Sequence, residues 1–487
     1  MKTAPIVQAT VDFSDAGAAR APQFGDVYHP ASGAFAQARH VFLAGNSLPG
    51  RWQDRAHFTI LETGFGLGNN FLATWAAWRD DPARCERLVF ISIEKHPLSR
   101  ADMQSAHTDS AAPELAQQLI DAWPPATCNL HVRDFENGRV RLLLAFGDVQ
   151  TWSREIVARV DAFYLDGFAP TRNPAMWERR VFTMLARLAA AEATAATWSA
   201  AGAVRDGLSG AGFEVRAAPG SGGKRDITLA RFAPRFRAPV PPGRMLPKAP
   251  PSHAIVIGAG LAGASSARAL ARQGIACTVI ERHAEPAAEA SGNPAGLFHG
   301  AVMGHDGPHA RLLRASALAA EPLMREAVAK GVPGCIDGLL RLESKLSLPA
   351  MQALLDAQAL PARYVQALSP AIASERAGLA LAQAAWFYPG AGWIDPAALV
   401  RYWLATPGIS WRGATHVQRI AQRLELTQYD EPVKIERELM QILPQERWIQ
   451  FSHQLIHFGR GICVARKPKC AECPVEKLCR STDKRPF

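Results

Sequence analysis

The stretch HFTILETGFGLGNNFL, residues 57–72, decides the fold of the first part of the chain. It begins with an apolar run typical of a buried strand. Three glycines follow, Gly64, Gly66 and Gly68, which let the backbone turn sharply and approach a ligand closely. A helix predicted to begin near Asn69 then points its partly positive N-terminus at that ligand. The pattern predicts a strand, a glycine loop and a helix.

A glycine loop by itself is equally typical of a structural turn, so the neighbouring strands matter. Apolar runs that alternate with helical patterns favour a parallel α/β sheet. One of these runs ends in Glu94, where a Rossmann-like sheet places an acid for ribose hydroxyls. Gly147 and Asp148 close another run, where an acid suits an adenine amino group. An exposed, helix-capping glutamate is the alternative for Glu94. The predicted strands are His57–Leu61, Leu88–Ile93, Asp161–Leu165 and Ala195–Ser199.

Asp166 follows the strand Asp161–Leu165 and opens a rigid loop with Phe168, Pro170 and Trp177. Methyl transfer to an amine requires the amine to be uncharged, and a nearby carboxylate can take or orient its proton. Aromatic side chains of the loop could stack on a flipped base. A capped turn with core aromatics is the alternative interpretation. The pattern nevertheless favours Asp166 as a catalytic residue.

Several stretches in residues 5–231 resemble one family, the tRNA 5-methylaminomethyl-2-thiouridine biosynthesis bifunctional proteins (MnmC family). They include FGDVYHP (24–30), ISIEKHPL (91–98) and DAFYLDGFAPTRNPAMW (161–177). The resemblance implies an S-adenosylmethionine-dependent methyltransferase that modifies the aminomethyl group of a tRNA wobble uridine. We expect the cofactor to be bound by Glu62, Gly64, Gly66, Gly68, Glu94 and Asp148. Asn69-Asn70 departs from the usual family pattern.

A second glycine motif begins after the predicted strand Ala254–Ile257. Strand, turn, helix, second strand (Cys277–Ile280) and a terminal acid are the full context of a dinucleotide-binding motif. We therefore predict dinucleotide binding by Gly258, Gly260, Gly263 and Glu281.

The segment ASGNPAG (290–296) and the stretch YPGAGWIDPAAL (388–399) resemble the second domain of the same bifunctional family. The resemblance implies FAD and an oxidation that removes a carboxymethyl group from the wobble uridine, which yields the amine that the first domain methylates. In the family this domain continues well beyond the region of Trp411, whereas here another sequence follows. We therefore expect a truncated oxidase with impaired activity.

Four cysteines lie close together near the C-terminus, and their spacing suits a [4Fe–4S] cluster or a structural zinc. The surrounding stretches ATHVQRIAQRL (414–424) and FSHQLIHFGRGICVARKPKCAECPVEKLC (451–479) resemble endonuclease III-type DNA glycosylases, which implies the cluster. The predicted ligands are Cys463, Cys470, Cys473 and Cys479.

A glycosylase active site cannot be assembled from this tail. The family's catalytic lysine lies upstream of the matching region, and Ala414 occupies the position of its catalytic aspartate. A recombined or misassembled gene explains the junction better than a third activity. The basic loop of Arg466, Lys467 and Lys469 is either a DNA-phosphate contact or a solvated loop. A DNA-repair protein and a non-catalytic, cluster-bearing nucleic-acid-binding fusion remain the alternative functions.

Composition sets the limits of these predictions. The 487 residues carry a formal net charge of +10, which favours a polyanionic partner such as tRNA without identifying it. No apolar run is long enough for a bilayer, and the N-terminus lacks secretory-signal features, so we expect a cytoplasmic protein without membrane contact. Cys85, Cys128, Cys277 and Cys335 are scattered and are predicted to be core residues.

The predicted fold class is α/β, in four segments. A Rossmann-like methyltransferase domain (1–231) is followed by a Pro- and Arg-rich linker (232–251), a truncated FAD-binding Rossmann-type domain (252–413) and a small helical iron–sulfur tail (414–487).

Overall fold

The protein is represented by a computed structural model that describes residues 4–13, 19–30, 33–220, 225–236, 251–413, 417–429, 431–464, 467–482 and 484. Most of the predicted linker lies outside the described residues, as do Ala414 and Arg466. The chain divides into two compact units. Unit 1 comprises Met1–Lys248, Leu297–Glu326 and Cys335–Gly392, and unit 2 comprises Ala249–Gly296, Ala327–Gly334 and Trp393–Phe487. The units divide the segment 252–413, and the predicted domain boundaries stay predictions.

The first part of unit 1 alternates strands and helices. Its strands are β1 (Arg20–Ala21), β2 (Asp26–Val27), β3 (His57–Thr63), β4 (Arg87–Glu94), β5 (Leu130–Phe135), β6 (Val140–Phe146), β7 (Val160–Leu165), β8 (Ala189–Thr197), β9 (Phe213–Pro219) and β10 (Asp226–Phe232). Its helices are α1 (Ala34–Gln37), α2 (Asn69–Asp80), α3 (Arg100–Ala106), α4 (Pro113–Asp121), α5 (Val149–Glu155), α6 (Arg179–Ala186) and α7 (Gly202–Gly210). A π-helical segment (Ala38–Leu43) and 3₁₀ turns (Ala44–Asn46, Glu136–Gly138 and Pro174–Trp177) complete this part.

In the described part of the chain, eight of these strands form one sheet in the order β5-β6-β4-β3-β7-β8-β10-β9. The chain leaves β3 for β4 on one side, and β7 later pairs with β3 on the other side. This reversal makes the carboxyl ends of β3 and β7 a topological switch point, where open α/β sheets bind ligands. The predicted Glu62–Gly68 loop and Asp166 both lie at this edge.

The predicted parallel α/β sheet is confirmed for the central strands, and antiparallel strands extend it at both edges. The central strands β6, β4, β3, β7 and β8 are parallel. In contrast, β5 is antiparallel to β6, and β10 is antiparallel to both β8 and β9. Strand β8 also begins earlier than predicted and ends at Thr197, because its alanines carry little strand propensity and hide its start.

The sheet is buried on both faces. On β3, Phe58 and Ile60 pack into one apolar cluster, and Leu61 packs into the other. This alternation follows from the two-residue period of a strand. Among the scattered cysteines, Cys85 and Cys277 are buried as predicted, whereas Cys128 and Cys335 are only partly buried.

The other described elements belong to the rest of the chain. The strands are β11 (His253–Ile257), β12 (Ala276–Ile280), β13 (Gly296–Phe298), β14 (Gly334–Cys335), β15 (Leu339–Leu342), β16 (Gln366–Leu368), β17 (Ala385–Tyr388), β18 (Gly392–Ile394) and β19 (Ile409–Arg412). The helices are α8 (Leu261–Ala271), α9 (Pro308–Ala329), α10 (Leu348–Gln358), α11 (Pro370–Ala377), α12 (Pro396–Leu404), α13 (Val417–Arg423), α14 (Pro432–Ile442) and α15 (Trp448–Gly461). The 3₁₀ turns are Ala290–Gly292, Gln445–Arg447, Cys470–Glu472 and Glu476–Leu478.

Each unit contains a small sheet built from these strands. In unit 1, β17 lies between β15 and β16 and is antiparallel to both. In unit 2, β12 lies between β11 and β19 and is parallel to both. The strand–glycine–helix–strand motif predicted for the dinucleotide site is therefore β11, α8 and β12.

Candidate active site

A cavity of about 390 Å³ opens at the carboxyl edge of the large sheet. Its wall includes five of the predicted site residues: Gly64, Gly66, Glu94, Asp148 and Asp166. Glu62 and Gly68 do not belong to the wall that the described residues form. Among these five residues, Gly64 and Asp166 lie furthest apart in the sequence, by 102 positions, and the fold brings them to one site.

The glycine loop has the backbone that only glycine adopts easily. Gly64, Gly66 and Gly68 have φ angles of 84°, 51° and 79°. A Cβ atom on Gly64 would lie 3.2 Å from the backbone oxygen of Asp166, and one on Gly66 would lie 3.2 Å from the Tyr28 ring. Side chains here would narrow the cavity, so the loop suits close approach of a cofactor. Helix α2 begins at Asn69, as predicted.

Glu94 braces this loop from the end of β4. Its Oε2 accepts a hydrogen bond from the Gly66 backbone N–H at 2.9 Å, and its Oε1 accepts one from the His96 N–H at 2.7 Å. The carboxylate is therefore held at both oxygens while it still lines the cavity. This geometry suits an acceptor for ribose hydroxyls, and the alternative of an exposed helix cap does not apply.

Asp148 combines a structural contact with its place in the cavity wall. It is the N-cap of α5, and its Oδ1 accepts from the Gln150 N–H at 2.8 Å. Its Oδ2 also lies 3.1 Å from Lys95 Nζ. The cap fixes the side chain at the edge of the cavity, a position that suits the predicted contact with an adenine amino group.

Asp166 also lines the cavity. Its Oδ1 accepts from the Gly167 backbone N–H at 2.8 Å and from Trp198 Nε1 at 3.0 Å. Its Oδ2 accepts from Asn70 Nδ2 at 2.7 Å. An aspartate anchored in this way presents a fixed negative charge to a cationic nitrogen in the cavity.

Glu62 supports the site from behind. Its carboxylate is fully buried and accepts from Ser92 Oγ at 2.6 Å and from Asn70 Nδ2 at 2.9 Å. Burial raises its pKa well above the usual range, and the nearby Asp166 adds to this effect. The structure thus places Glu62 beneath the glycine loop rather than in contact with the cavity.

The N-terminal hairpin supplies a part of the wall that motif analysis missed. Phe24 stacks on Phe168 with ring centroids 4.5 Å apart, and Asp26 Oδ2 accepts from the Ala169 N–H at 2.9 Å. Tyr28 contacts the edge of the Phe168 ring. Burial, and next the charge of Glu94, raise the pKa of Tyr28 far above its usual value. The FGDVYHP stretch contains these residues, but its sequence alone does not predict their contacts with Phe168 and Ala169.

Trp177 does not have the predicted stacking role. It is buried, packs edge-on against Trp198, and donates from Nε1 to the Phe168 carbonyl at 2.9 Å. Trp177 therefore belongs to the core, as the alternative interpretation held. Phe168, Ala175 and Met176 are the members of this loop with apolar side chains that line the cavity.

The second glycine loop, in unit 2, is equally constrained. Gly258 has a φ angle of 92°. A Cβ atom on Gly263 would lie 1.8 Å from the Gly258 backbone oxygen, so glycine is required for the helix to pack against the turn. Gly260 is the N-cap of α8. The loop thus has the backbone of a pyrophosphate-binding turn.

Glu281 repeats the arrangement of Glu94. Its Oε2 accepts from the Ala259 N–H at 2.7 Å, and its Oε1 accepts from the His283 N–H at 3.0 Å. The carboxylate is buried at the end of β12. This position suits the ribose contact expected for FAD, and these residues fit that cofactor.

The four tail cysteines line one small cavity of about 30 Å³. Arg423 Nη1 lies 3.1 Å from Cys463 Sγ. Within the described ranges, however, no three His, Cys, Asp or Glu side chains are grouped so that they could hold a metal ion. The donor type suits a cluster, whereas the arrangement is not that of an assembled ligand set. Lys467 is exposed, and Lys469 pairs loosely with Glu472 at 3.9 Å.

Three family models match the chain. Residues 110–233 match an S-adenosyl-L-methionine-dependent methyltransferase, and residues 253–435 match an FAD dependent oxidoreductase. Residues 463–479 match the iron-sulfur binding domain of endonuclease III. No helix among the described residues is long and apolar enough to span a bilayer.

Curated relatives carry the name tRNA 5-methylaminomethyl-2-thiouridine biosynthesis bifunctional protein MnmC. The protein of Methylibium petroleiphilum is 57% identical to this chain. The match covers 86% of this chain and 65% of that relative. The protein of Burkholderia multivorans is 46% identical over 83% of this chain, which covers 63% of that relative. The chain thus spans slightly less than two thirds of the length of these relatives.

Solved structures are more distant. MNMC2 from Aquifex aeolicus is 23% identical, with a TM-score of 0.40, and the match covers 48% of this chain and 73% of that chain. The sequence relatives and the two larger family models agree with each other. The chain is therefore a relative of the tRNA 5-methylaminomethyl-2-thiouridine biosynthesis bifunctional proteins, with a methyltransferase domain followed by an FAD-dependent oxidoreductase domain.

Proposed function

We propose that the chain methylates the aminomethyl group of 5-aminomethyl-2-thiouridine at the wobble position of tRNA, with S-adenosylmethionine as methyl donor. The observation that carries this proposal is the shared cavity, in which Asp166 faces the glycine loop and Glu94. The names of the relatives support the choice of substrate.

In this proposal the cofactor is held by the glycine loop, Glu94 and Asp148. When bound, it supplies an electrophilic methyl group. The substrate amine carries a proton in water and attacks only after losing it. Asp166, which is held by Asn70 and Trp198, accepts that proton at a carboxylate oxygen. Before this transfer, the ionised carboxylate holds the cationic amine in the cavity.

The hairpin side of the cavity suits the uridine base. Phe24, Tyr28 and Phe168 form an aromatic wall, and His96 lies edge-on to Phe24 at 6.0 Å. Stacking on such a wall would hold a base that has left the anticodon stack. The formal charge of +10 favours the phosphate backbone of tRNA.

The test is to incubate the full chain with S-adenosylmethionine and wobble-undermodified tRNA and to analyse the nucleosides by mass spectrometry. We expect 5-methylaminomethyl-2-thiouridine to form. Asp166→Ala should reduce the rate by at least about 100-fold while cofactor affinity changes little, because Asp166 acts on the amine. Unchanged turnover of this variant would remove Asp166 from the catalytic role.

We also infer that the oxidoreductase domain binds FAD through Gly258, Gly260, Gly263 and Glu281. The positive φ angle at Gly258 and the hydrogen bond that Glu281 accepts from the Ala259 N–H support this assignment. By resemblance, the bound flavin would accept electrons when the carboxymethyl group of the wobble uridine is removed. We propose that this activity is impaired, because the residues after the FAD-type sequence match an iron–sulfur family instead. A stoichiometric flavin spectrum together with demodification of tRNA would contradict the impairment.

For the tail we propose a [4Fe–4S] cluster on Cys463, Cys470, Cys473 and Cys479. The spacing and the match over residues 463–479 support it. Anaerobic reconstitution should yield iron and sulfide at about four each per chain, and Cys473→Ser should abolish this binding. Stoichiometric zinc without iron would contradict the cluster. DNA is not part of the proposed function, and the cytoplasmic location stays a prediction.

A further inference from the structure

Asn70 contacts two carboxylates with one amide nitrogen. It is the second residue of α2, and its side chain is 8% exposed. Its Nδ2 donates to Glu62 Oε1 at 2.9 Å and to Asp166 Oδ2 at 2.7 Å. An amide nitrogen carries two hydrogens, so a single side chain can serve both acids.

The two acids need such a donor because of the topology. Glu62 is the penultimate residue of β3, and Asp166 directly follows β7, which pairs in parallel with β3. Burial, together with the neighbouring Asp166, raises the pKa of Glu62, so the pair does not carry two full negative charges side by side. An apolar side chain at position 70 would leave these carboxylates facing each other without the shared donor.

The same contact fixes the direction of Asp166. The Gly167 N–H and Trp198 Nε1 hold Oδ1, while Asn70 holds Oδ2. A carboxylate held at both oxygens cannot rotate about its χ2 bond without losing one of these bonds. Its charge then points into the cavity in one orientation.

We propose that Asn70 is a positioning residue for methyl transfer, which holds Asp166 where it meets the cationic nitrogen of the amine. This inference rests on the proposed function. It predicts that Asn70 matters for a ligand with a positive charge beside Asp166 and matters little for a ligand without that charge.

The test uses two analogues of S-adenosylmethionine and the full chain. Sinefungin carries an amine where the cofactor carries its transferable methyl group, whereas S-adenosylhomocysteine carries nothing there. Calorimetry should show that the wild type prefers sinefungin. Asn70→Ala should reduce this preference roughly tenfold, while the affinity for S-adenosylhomocysteine changes less than about threefold. Asn70→Ser, which keeps one donor hydrogen, should lose less.

Two further variants show whether Asn70 acts through Asp166. In an Asp166→Ala background, Asn70→Ala should have no additional effect on the preference. Thr74→Val, on the same helix, removes a hydroxyl that bonds the Asn70 carbonyl at 2.7 Å and should leave the preference unchanged.

Each outcome decides the inference. The positioning role would be overturned if Asn70→Ala and Asn70→Ser lowered the affinities for the two analogues equally. It would also be overturned if Asn70→Ala changed the preference for sinefungin in the Asp166→Ala background. A wild type that binds neither analogue contradicts both the proposed function and this inference. The protein could also methylate no tRNA while Asn70→Ala still reduces the preference for sinefungin. That result would contradict only the proposed substrate and would support the positioning role.

Discussion

Two glutamates in two different sheets hold their glycine loops through the same pair of contacts. Glu94 accepts from the N–H of Gly66 and from the N–H two residues beyond itself, and Glu281 does the same with Ala259 and His283. Glu94 is the last residue of β4, and Glu281 directly follows β12. Each of these strands pairs with the strand that enters the loop. One carboxylate can thereby order the loop before any ligand binds, which lowers the entropic cost of binding.

Glu94→Gln tests this role. A glutamine presents one N–H where the glutamate presents an acceptor, so one backbone N–H would lose its partner and the loop would loosen. We expect the affinity for S-adenosylmethionine to fall at least about tenfold by calorimetry. Glu86→Gln, at an exposed position, is the matched control and should bind as the wild type does. Equal affinities of the two variants would show that Glu94 does not order the loop.

His131 predicts a pH dependence of stability. It is fully buried, and burial, followed by Arg133, lowers its pKa to about 3. The folded state keeps this histidine neutral, whereas the unfolded chain takes up a proton below about pH 6.5. The free energy of unfolding should therefore be highest above pH 6.5 and decrease as the pH falls toward 3.

Denaturant unfolding at pH 7 and pH 5 measures this effect. Between pH 7 and pH 5, the free energy of unfolding of the wild type should decrease by about 2 kcal/mol more than that of His131→Gln. His305→Gln, at an exposed position, should behave as the wild type does. Parallel losses in all three proteins would contradict the prediction.

At the residue scale, the local pattern predicted the glycines, Glu94 and Asp166, because each follows a recognisable strand. It could not predict Asn70, Tyr28 or Trp198, whose roles depend on partners far away in sequence. Trp198, for example, bonds an acid 32 positions earlier. Trp177 was assigned the wrong role because composition does not show which aromatic side chain of a loop faces inward.

At the scale of elements, the two glycine loops depend on close packing between a turn and a helix. Gly263 shows this most clearly, because a Cβ atom there would lie 1.8 Å from the Gly258 carbonyl oxygen. The neighbouring atom is backbone, so the loop itself would have to move. The close packing of the loop backbone therefore excludes any side chain at position 263, even one as small as alanine.

Gly263→Ala should weaken FAD binding at least about tenfold, since the displaced loop no longer fits a pyrophosphate. Flavin fluorescence titration measures the affinity. Gly304→Ala is the control, because a Cβ atom at that exposed position meets nothing within 4 Å. If Gly263→Ala bound flavin as tightly as Gly304→Ala, the loop would not be the flavin site.

Sequence patterns predicted the central strands of the large sheet better than its edges. Strands β3, β4 and β7 are apolar runs that lie close to their predicted bounds. The antiparallel edge strands β5, β9 and β10 were missed, because charged or small residues interrupt their alternation. Burial by neighbouring strands, rather than local propensity, places them in the sheet.

At the scale of the whole molecule, unit 1 joins segments that are far apart in the chain. Helix α9 carries Arg314, whose side chain is 2% exposed and pairs with both oxygens of Asp306. Its Nε also donates to Asn129 Oδ1 at 2.7 Å, next to β5 of the large sheet. A segment that resembles the oxidase is thus bonded to the methyltransferase sheet inside one compact unit.

Arg314→Ala should destabilise unit 1 by about 3–5 kcal/mol, because it leaves a largely buried carboxylate without this partner. Differential scanning calorimetry should show a lower melting temperature. Arg180→Ala, which removes an exposed ion pair with Glu178, should change stability by less than about 1 kcal/mol. Equal melting temperatures for the two variants would mean that the Arg314 contacts contribute nothing.

The most direct measurement of the central claim follows the methyl group itself. The full chain is incubated with S-adenosylmethionine that has a deuterated methyl group. The tRNA substrate carries 5-aminomethyl-2-thiouridine at the wobble position. We predict a deuterated 5-methylaminomethyl-2-thiouridine with the wild type and almost none with Asp166→Ala. A wild type that binds the cofactor but leaves the wobble nucleoside without deuterium would contradict the claim.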